Sequence, residues 1–171
     1  MKKEIHINYY ESVVGTLILG EFEGKLCLCD WKSRRNKASI EQRLRKYLKA
    51  DFLEKTTPFL EETAKVLDAY FNGEKRRFDL PLLCVGSTFQ KKVWDAVSSI
   101  PYGETLSYKA LAAKSGNEKA VRAAATAVGA NALSIFVPCH RVVGSDGSLH
   151  GYAGGLDVKK VLLEHEGVMV C

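Results

Sequence analysis

Cys139 stands in the run Phe-Val-Pro-Cys-His-Arg-Val-Val (136–143), between a proline and a histidine, with Arg141 next. Thiolate, not thiol, is the nucleophilic form. An ordinary cysteine titrates near about 8.5, so at neutral pH it needs a proton acceptor or neighbouring cations. His140 can serve as the acceptor, and Arg141 adds positive charge. Pro138 fixes the backbone just before the cysteine and has no N–H. A lone Cys-His pair is more often a buried structural cysteine beside a surface histidine, because free cysteine is among the most buried residue types. The surroundings of the pair must therefore distinguish packing from chemistry.

Two other segments carry residues of the right types. The sequence Leu-Leu-Glu-His-Glu-Gly (162–167) closes a helical pattern with a carboxylate, Glu166. A negative charge in the last turn opposes the helix dipole, a small cost. Glu166 is either solvated or orients a histidine as the third member behind a nucleophile and a base. The run Lys-Ala-Val-Arg-Ala-Ala-Ala-Thr-Ala-Val-Gly-Ala-Asn (119–131) is rich in alanine. One reading is a tightly packed helix of good propensity. The other is a helix whose small side chains let its backbone approach a nucleic acid. Arg122 would then be a single long cation able to reach phosphate or enter a base stack.

Composition bounds these readings. The 171-residue chain suffices for roughly one or two domains with a buried core. It is 46% hydrophobic and 26% charged, ordinary for a globular protein. No apolar run approaches the roughly 20 residues that span a bilayer, and no secretory h-region follows Met1-Lys2-Lys3. Five scattered cysteines, an odd number, argue for a reducing cytosol and against a disulfide framework. A net charge of +5 fits a polyanionic partner without establishing one.

The elements that must position these residues follow from periodicity and turn chemistry. Strands are expected over 4–10, 13–22 and 25–31, with Glu23-Gly24 as a hairpin turn. Ile40, Leu44, Tyr47 and Leu48 recur at helical spacing. A second helix is capped by Thr57 and Pro58, lined by Leu60, Ala64, Leu67 and Phe71, and stopped by Asn72-Gly73. A short strand over 78–82 leads into a crossing at 83–86. Ser87-Thr88-Phe89-Gln90 has capping-box spacing, and Phe89, Val93, Val97 and Ile100 line the helix that follows. Helices over 107–114 and 119–128, joined by 115–118, form a helix-turn-helix candidate. A strand over 134–137 is expected to run into Cys139, Gly144–Gly147 to turn, and a last helix to cover 157–165. The pattern is α+β, with domains at 1–83 and 84–171.

These residues together resemble a known family. The segment from about Thr88 to Gly167 resembles the active-site domain of the O6-alkylguanine-DNA alkyltransferases, the methylated-DNA–protein-cysteine methyltransferases. "PYGETLSYKALA", "KAVRAAATAVGAN", "PCHRVVGSDGSLHGYAGG" and "LLEHEG" occur in that family's order and spacing. The N-terminal part resembles the family's smaller domain more loosely. The resemblance implies a small ribonuclease H-like α/β domain followed by a mainly helical, winged-helix-like domain with a helix-turn-helix.

It further implies roles. Cys139 matches the cysteine that takes an alkyl group from O6 of guanine. His140 matches the base that draws its proton through a water, and Glu166 the carboxylate that holds the histidine. Asn131 matches an asparagine tying the recognition helix to the active-site segment, and Tyr108 a tyrosine whose hydroxyl donates to guanine N3. Val142, Tyr152, Ala153 and Gly154 match the stretch that holds the base. Arg122 matches the arginine that enters the duplex when the nucleotide swings out. Ala120, Val121, Ala123 and Ala124 complete the DNA-facing helix. The implied partner is double-stranded DNA containing O6-alkylguanine, with O4-alkylthymine as a second substrate. The protein would act as a cytoplasmic monomer (nuclear in a eukaryote) without cofactor, membrane or obligate protein partner. Because a thioether is not reversed by water or cellular thiols, each molecule would act once. No zinc is expected: Cys27 and Cys29 alternate along a strand, which is more often packing than ligation.

Two competing functions remain in view. A module that recognises alkylated guanine without accepting the group would lack the cysteine, and Cys139 is present. A cysteine hydrolase could use Cys139, His140 and Glu166 for acyl transfer. It would leave Arg122 and the alanine-rich helix without a purpose.

Overall fold

The computed structural model describes residues 2–170, which divide into two compact units at Gly86/Ser87. In the first unit β1 (Lys3–Ser12), β2 (Gly15–Phe22) and β3 (Lys25–Trp31) form an antiparallel meander. Glu23 and Gly24 both adopt positive φ, 49° and 80°, the backbone that a tight two-residue hairpin demands. After α1 (Lys37–Leu48), Lys49 turns into the left-handed region at φ 50° and the chain re-enters the sheet as β4 (Ala50–Glu54). β4 pairs parallel with β1, giving the order β3-β2-β1-β4. The helix α2 (Pro58–Phe71) starts where Thr57 Oγ1 accepts from the Leu60 N–H at 3.2 Å, with Pro58 in its first turn. Ile5, Leu17, Leu19, Leu26, Leu44, Leu60 and Leu67 are fully buried. Each contributes about 1.5–3 kcal/mol of hydrophobic stabilisation.

The sequence gives no sign of β4: it has no apolar alternation, only Ala50 is buried, and backbone pairing to β1 makes it a strand. Conversely, 78–82 forms no strand. Only Leu82 bridges Leu26, and Pro81, lacking an N–H, contributes its carbonyl to the Leu26 N–H at 2.9 Å.

The second unit opens with α3 (Thr88–Ser98). Its capping box is complete: Ser87 Oγ accepts from the Gln90 N–H at 3.1 Å, and Gln90 Oε1 accepts from the Ser87 N–H at 2.9 Å. A two-residue β5 (Leu106–Ser107) leads into α4 (Tyr108–Lys114), capped by Ser107 Oγ. The next helix, α5 (Val121–Gly129), packs against α3 and α4, as a helix-turn-helix requires. A single 3-10 turn over Cys139–Arg141 leads to β6 (Val142–Val143), parallel to β5, and the unit closes with α6 (Leu156–His165). The α+β expectation holds, with a sheet unit followed by a helical one. No helix among the described residues is long and apolar enough to cross a membrane.

The strand expected over 134–137 is absent; those residues are turns. Ile135 sits at φ 74°, a region a β-branched residue rarely enters and no strand uses. The Asn131 side chain does what a partner strand would do. Its Oδ1 accepts from the Leu133 N–H at 2.9 Å, and its Nδ2 donates to the Val137 carbonyl at 3.0 Å.

Candidate active site and DNA-facing helix

Cys139 lies at the start of the 3-10 turn and is 4% exposed. Its N–H donates to the Val137 carbonyl at 2.7 Å, and its Sγ accepts from Asn131 Nδ2 at 3.2 Å. One buried asparagine thus braces the turn that aims the cysteine and donates to the sulfur itself.

The adjacent His140 is fully buried. Its Nε2 lies 2.7 Å from Glu166 Oε2. An ionised carboxylate only accepts, so Nε2 carries the proton and donates, leaving Nδ1 with the free lone pair. Nδ1 is buried with no hydrogen-bond partner among the described residues. Burial pushes the imidazole below the ordinary histidine value, against the opposing pull of Glu166. The ring is therefore neutral near pH 7, the state a base requires.

Glu166 caps α6 and is 4% exposed. Its charge is met by Arg141: Nε donates to Oε1 at 2.7 Å and Nη2 to Oε2 at 3.1 Å. Arg141 Nη1 also donates to the Ile100 carbonyl at 2.7 Å, and the guanidinium lies over the Tyr102 ring. The charged pair leaves His140 free to stay neutral while still oriented. Read from sequence, Arg141 was only a nearby positive charge; its partner is Glu166, 25 residues on.

The flanking residues are placed as follows. The Tyr108 hydroxyl donates to the His150 carbonyl at 3.3 Å, and burial raises its pKa, so it keeps its proton. The Tyr152 ring meets His140 edge-on, centroids 6.4 Å apart. Ala153 and Gly154 are half-buried in the turn closed by the Gly155 N–H donating to the Tyr152 carbonyl. Val142 is buried, with its carbonyl accepting from Lys159 Nζ at 2.6 Å. Lys159 was not singled out from sequence, yet it is fully buried. The signal existed: Lys159, Leu162, Leu163 and Glu166 fall on one helical stripe, so periodicity placed a lysine in a core position.

On α5, Arg122 and Ala123 are exposed, and Ala120 and Val121 are half-buried. Ala124 is fully buried, so its side chain packs inward and does not extend the small-residue surface. Lys119 and Ala120 precede the helix, which starts at Val121. An open groove of about 680 Å³ runs beside Arg122, bordered by Ser87, Phe89, Lys119, Ala123 and Thr126. Trp94 Nε1, a further residue not anticipated, donates to the Ala127 carbonyl at 2.9 Å and ties α5 to α3. Cys27 and Cys29 are buried in β3, where burial pushes the Cys27 thiol up to about 12.

A buried cysteine beside a neutral, carboxylate-held histidine, on a turn attached to a helix-turn-helix, defines a cysteine-nucleophile site in a helix-turn-helix unit. Comparison with known proteins gives the family. Residues 5–84 match the 6-O-methylguanine DNA methyltransferase ribonuclease-like domain, and residues 88–168 match the DNA-binding domain of the same family. The methylated-DNA–protein-cysteine methyltransferase of Methanosarcina barkeri is 41% identical over 162 residues, 95% of this chain and 97% of that one. The constitutive enzyme of Bacillus subtilis is 40% identical, covering 95% and 97%. The Mycobacterium tuberculosis O6-methylguanine methyltransferase crystal structure superposes with a TM-score of 0.80 at 35% identity, covering 95% of this chain and 92% of that one. A crystal structure of Mycobacterium tuberculosis OGT in complex with DNA gives a TM-score of 0.82 at 35% identity, covering 94% and 92%. The chain belongs to the methylated-DNA–protein-cysteine methyltransferase family, whose members carry out DNA repair by moving an alkyl group onto a protein cysteine.

Proposed function

We propose that this protein repairs double-stranded DNA by moving an alkyl group from O6 of guanine to Cys139, once per molecule. The observation that carries this is the buried Cys139–Asn131 and His140–Glu166–Arg141 constellation in a chain of this family. Attack at a saturated carbon suits a soft thiolate. The thiol proton passes through a water to His140 Nδ1. The sulfur–carbon bond forms as the carbon–O6 bond breaks, and the electron pair leaves with the guanine. The Tyr108 hydroxyl donates to N3 of the departing anion, which then takes a proton from solvent.

An alkylated base inside a duplex is out of reach, so the nucleotide must flip out, at a cost of about a few kcal/mol in lost stacking. Arg122 fills the gap, while Ala120, Val121 and Ala123 let α5 approach the duplex. Val142, Tyr152, Ala153 and Gly154 form the base pocket. The net charge of +5 supports phosphate binding. O4-alkylthymine fits the same pocket logic. The protein acts as a monomer in the cytoplasm, or in the nucleus of a eukaryotic source, and needs no cofactor or metal.

Intact and peptide mass after mixing with a duplex carrying one O6-methylguanine tests this. One added methylene on the Cys139 peptide, saturating at one per protein and absent in Cys139→Ser, is the expected result. DNA binding without a mass change would make the protein a recognition module instead. Turnover on an ester would make it a hydrolase.

A further inference from the structure

Lys159 is the one fully buried lysine among the described residues, and the transfer chemistry above does not use it. A buried ammonium is costly unless its three N–H groups are paired. Here Nζ donates to the Val142 carbonyl at 2.6 Å and the His150 carbonyl at 2.8 Å, with the Gly151 carbonyl at 3.4 Å. These three acceptors are the two ends of one loop: Val142 follows directly on Cys139–Arg141, and His150–Gly151 precedes Tyr152. The ammonium also lies 5.8 Å from the centroid of the Tyr108 ring, whose hydroxyl donates to the same His150 carbonyl.

Between those ends the loop braces itself. The Gly144 N–H donates to the Ser148 carbonyl at 2.8 Å, and the Gly147 N–H to the Gly144 carbonyl at 2.9 Å. Ser148 Oγ donates to Asp146 Oδ1 at 2.6 Å and lies 2.8 Å from His150 Nε2. A Cβ on Gly144 would come within 2.7 Å of His150 Nε2, so the loop is folded tightly upon itself. The loop is braced by its own hydrogen bonds, and Lys159 holds both of its ends.

We propose that Lys159 is a positioning residue for alkyl transfer: its buried ammonium clamps the two ends of the 142–151 loop and fixes Tyr108 against it, setting the pocket that presents the base to Cys139. The inference rests on the function proposed above. Lys159 touches neither the base nor the alkyl carbon. It acts through the Val142 carbonyl, the loop and Tyr108.

The test compares wild type with Lys159→Met, which keeps the length and loses the charge, and Lys159→Arg, which keeps the charge. Lys160→Met, an exposed neighbour on the same helix, is the control. Three readouts are taken: the maximal rate of methyl transfer from an O6-methylguanine duplex, the affinity for unmodified duplex, and hydrogen exchange of amides 144–151. In Lys159→Met transfer is expected to slow about ten- to a hundredfold, as displacements of about 1 Å do. Affinity for unmodified duplex should stay near wild type while the loop exchanges faster. Lys159→Arg should recover part of the rate and of the loop protection. Should Lys159→Met fail to fold, Lys159→Arg against Lys160→Met carries the same readouts, with a transfer rate between wild type and zero expected. A folded Lys159 variant with wild-type transfer and wild-type loop protection overturns the inference. So does a rate loss matched by an equal loss of duplex affinity with an unaltered loop. If wild type itself transfers nothing, the proposed function fails, while loop exchange in the variants still decides whether Lys159 is a clamp.

Discussion

Arg141 and Glu166 form a buried two-bond ion pair, Nε to Oε1 at 2.7 Å and Nη2 to Oε2 at 3.1 Å, on the same carboxylate that orients His140. The carboxylate therefore has two tasks. It fixes the tautomer of the base, and it balances a guanidinium that is only 6% exposed. Breaking a buried pair from one side leaves a charge without compensation, which is worse than removing both.

Replacing Glu166 with Gln is expected to cost about 3–5 kcal/mol of stability, because Arg141 loses its counter-charge. Urea unfolding measures this. Alkyl transfer should slow as well, since the amide offers one acceptor oxygen where the carboxylate offers two, and His140 Nε2 then competes with Arg141 for it.

Asn131→Ala removes three hydrogen bonds at once, to Leu133, Val137 and Cys139. Each buried partner left unsatisfied costs about 1–3 kcal/mol. A lower unfolding midpoint is expected, together with slower alkylation of Cys139 by iodoacetamide, because the sulfur loses the N–H donor that favours its thiolate. Wild-type reactivity in this variant would remove Asn131 from any role at the sulfur.

Lys159 is expected to make stability rise with alkaline pH. Burial lowers its pKa from the ordinary 10.5 to about 8. Between those values the unfolded chain holds a proton the folded chain has released, so unfolding becomes less favourable as pH increases. This contribution is absent below about pH 8 and grows to about 3 kcal/mol by pH 10.5. Urea midpoints at pH 7.5 and 9.5 should show a rise in wild type that Lys159→Met lacks. His140 acts in the same direction at lower pH. Its pKa lies below the ordinary 6.5, so stability should fall as pH drops through about 6.5, where the unfolded chain protonates first.

Arg122→Ala should separate flipping from chemistry. Transfer from duplex DNA is expected to fall by about ten- to a hundredfold. Reaction with free O6-benzylguanine, which needs no flipping, should be unchanged. Equal losses on both substrates would mean that Arg122 supports the fold of α5 instead.

Ala153→Arg tests pocket width. Ala153 is small and half-buried in the turn beyond the loop. The larger side chain should depress the rate on a benzyl substrate more than on a methyl one. An unchanged ratio of the two rates would refute a role for Ala153 in alkyl size.

Local chemistry made much of this legible in the sequence. The capping box at Ser87–Gln90, the Thr57–Pro58 helix start and the Glu23-Gly24 hairpin depend on residues within a few positions of one another. The Pro-Cys-His-Arg-Val run and its distance from Glu166 carried the family resemblance, which the relatives bear out. What stayed hidden depended on partners distant in sequence. β4 exists because β1 offers it a backbone edge, and the turns over 134–137 exist because Asn131 replaces a strand partner. The pairing of Arg141 with Glu166 and the burial of Lys159 join residues 17 to 25 positions apart, where no local preference operates. Ala124 shows the same limit at the scale of one helix. Composition alone gave every alanine of α5 an equal claim to the surface, and only packing against the neighbouring helices decided that Ala124 and Ala127 face inward.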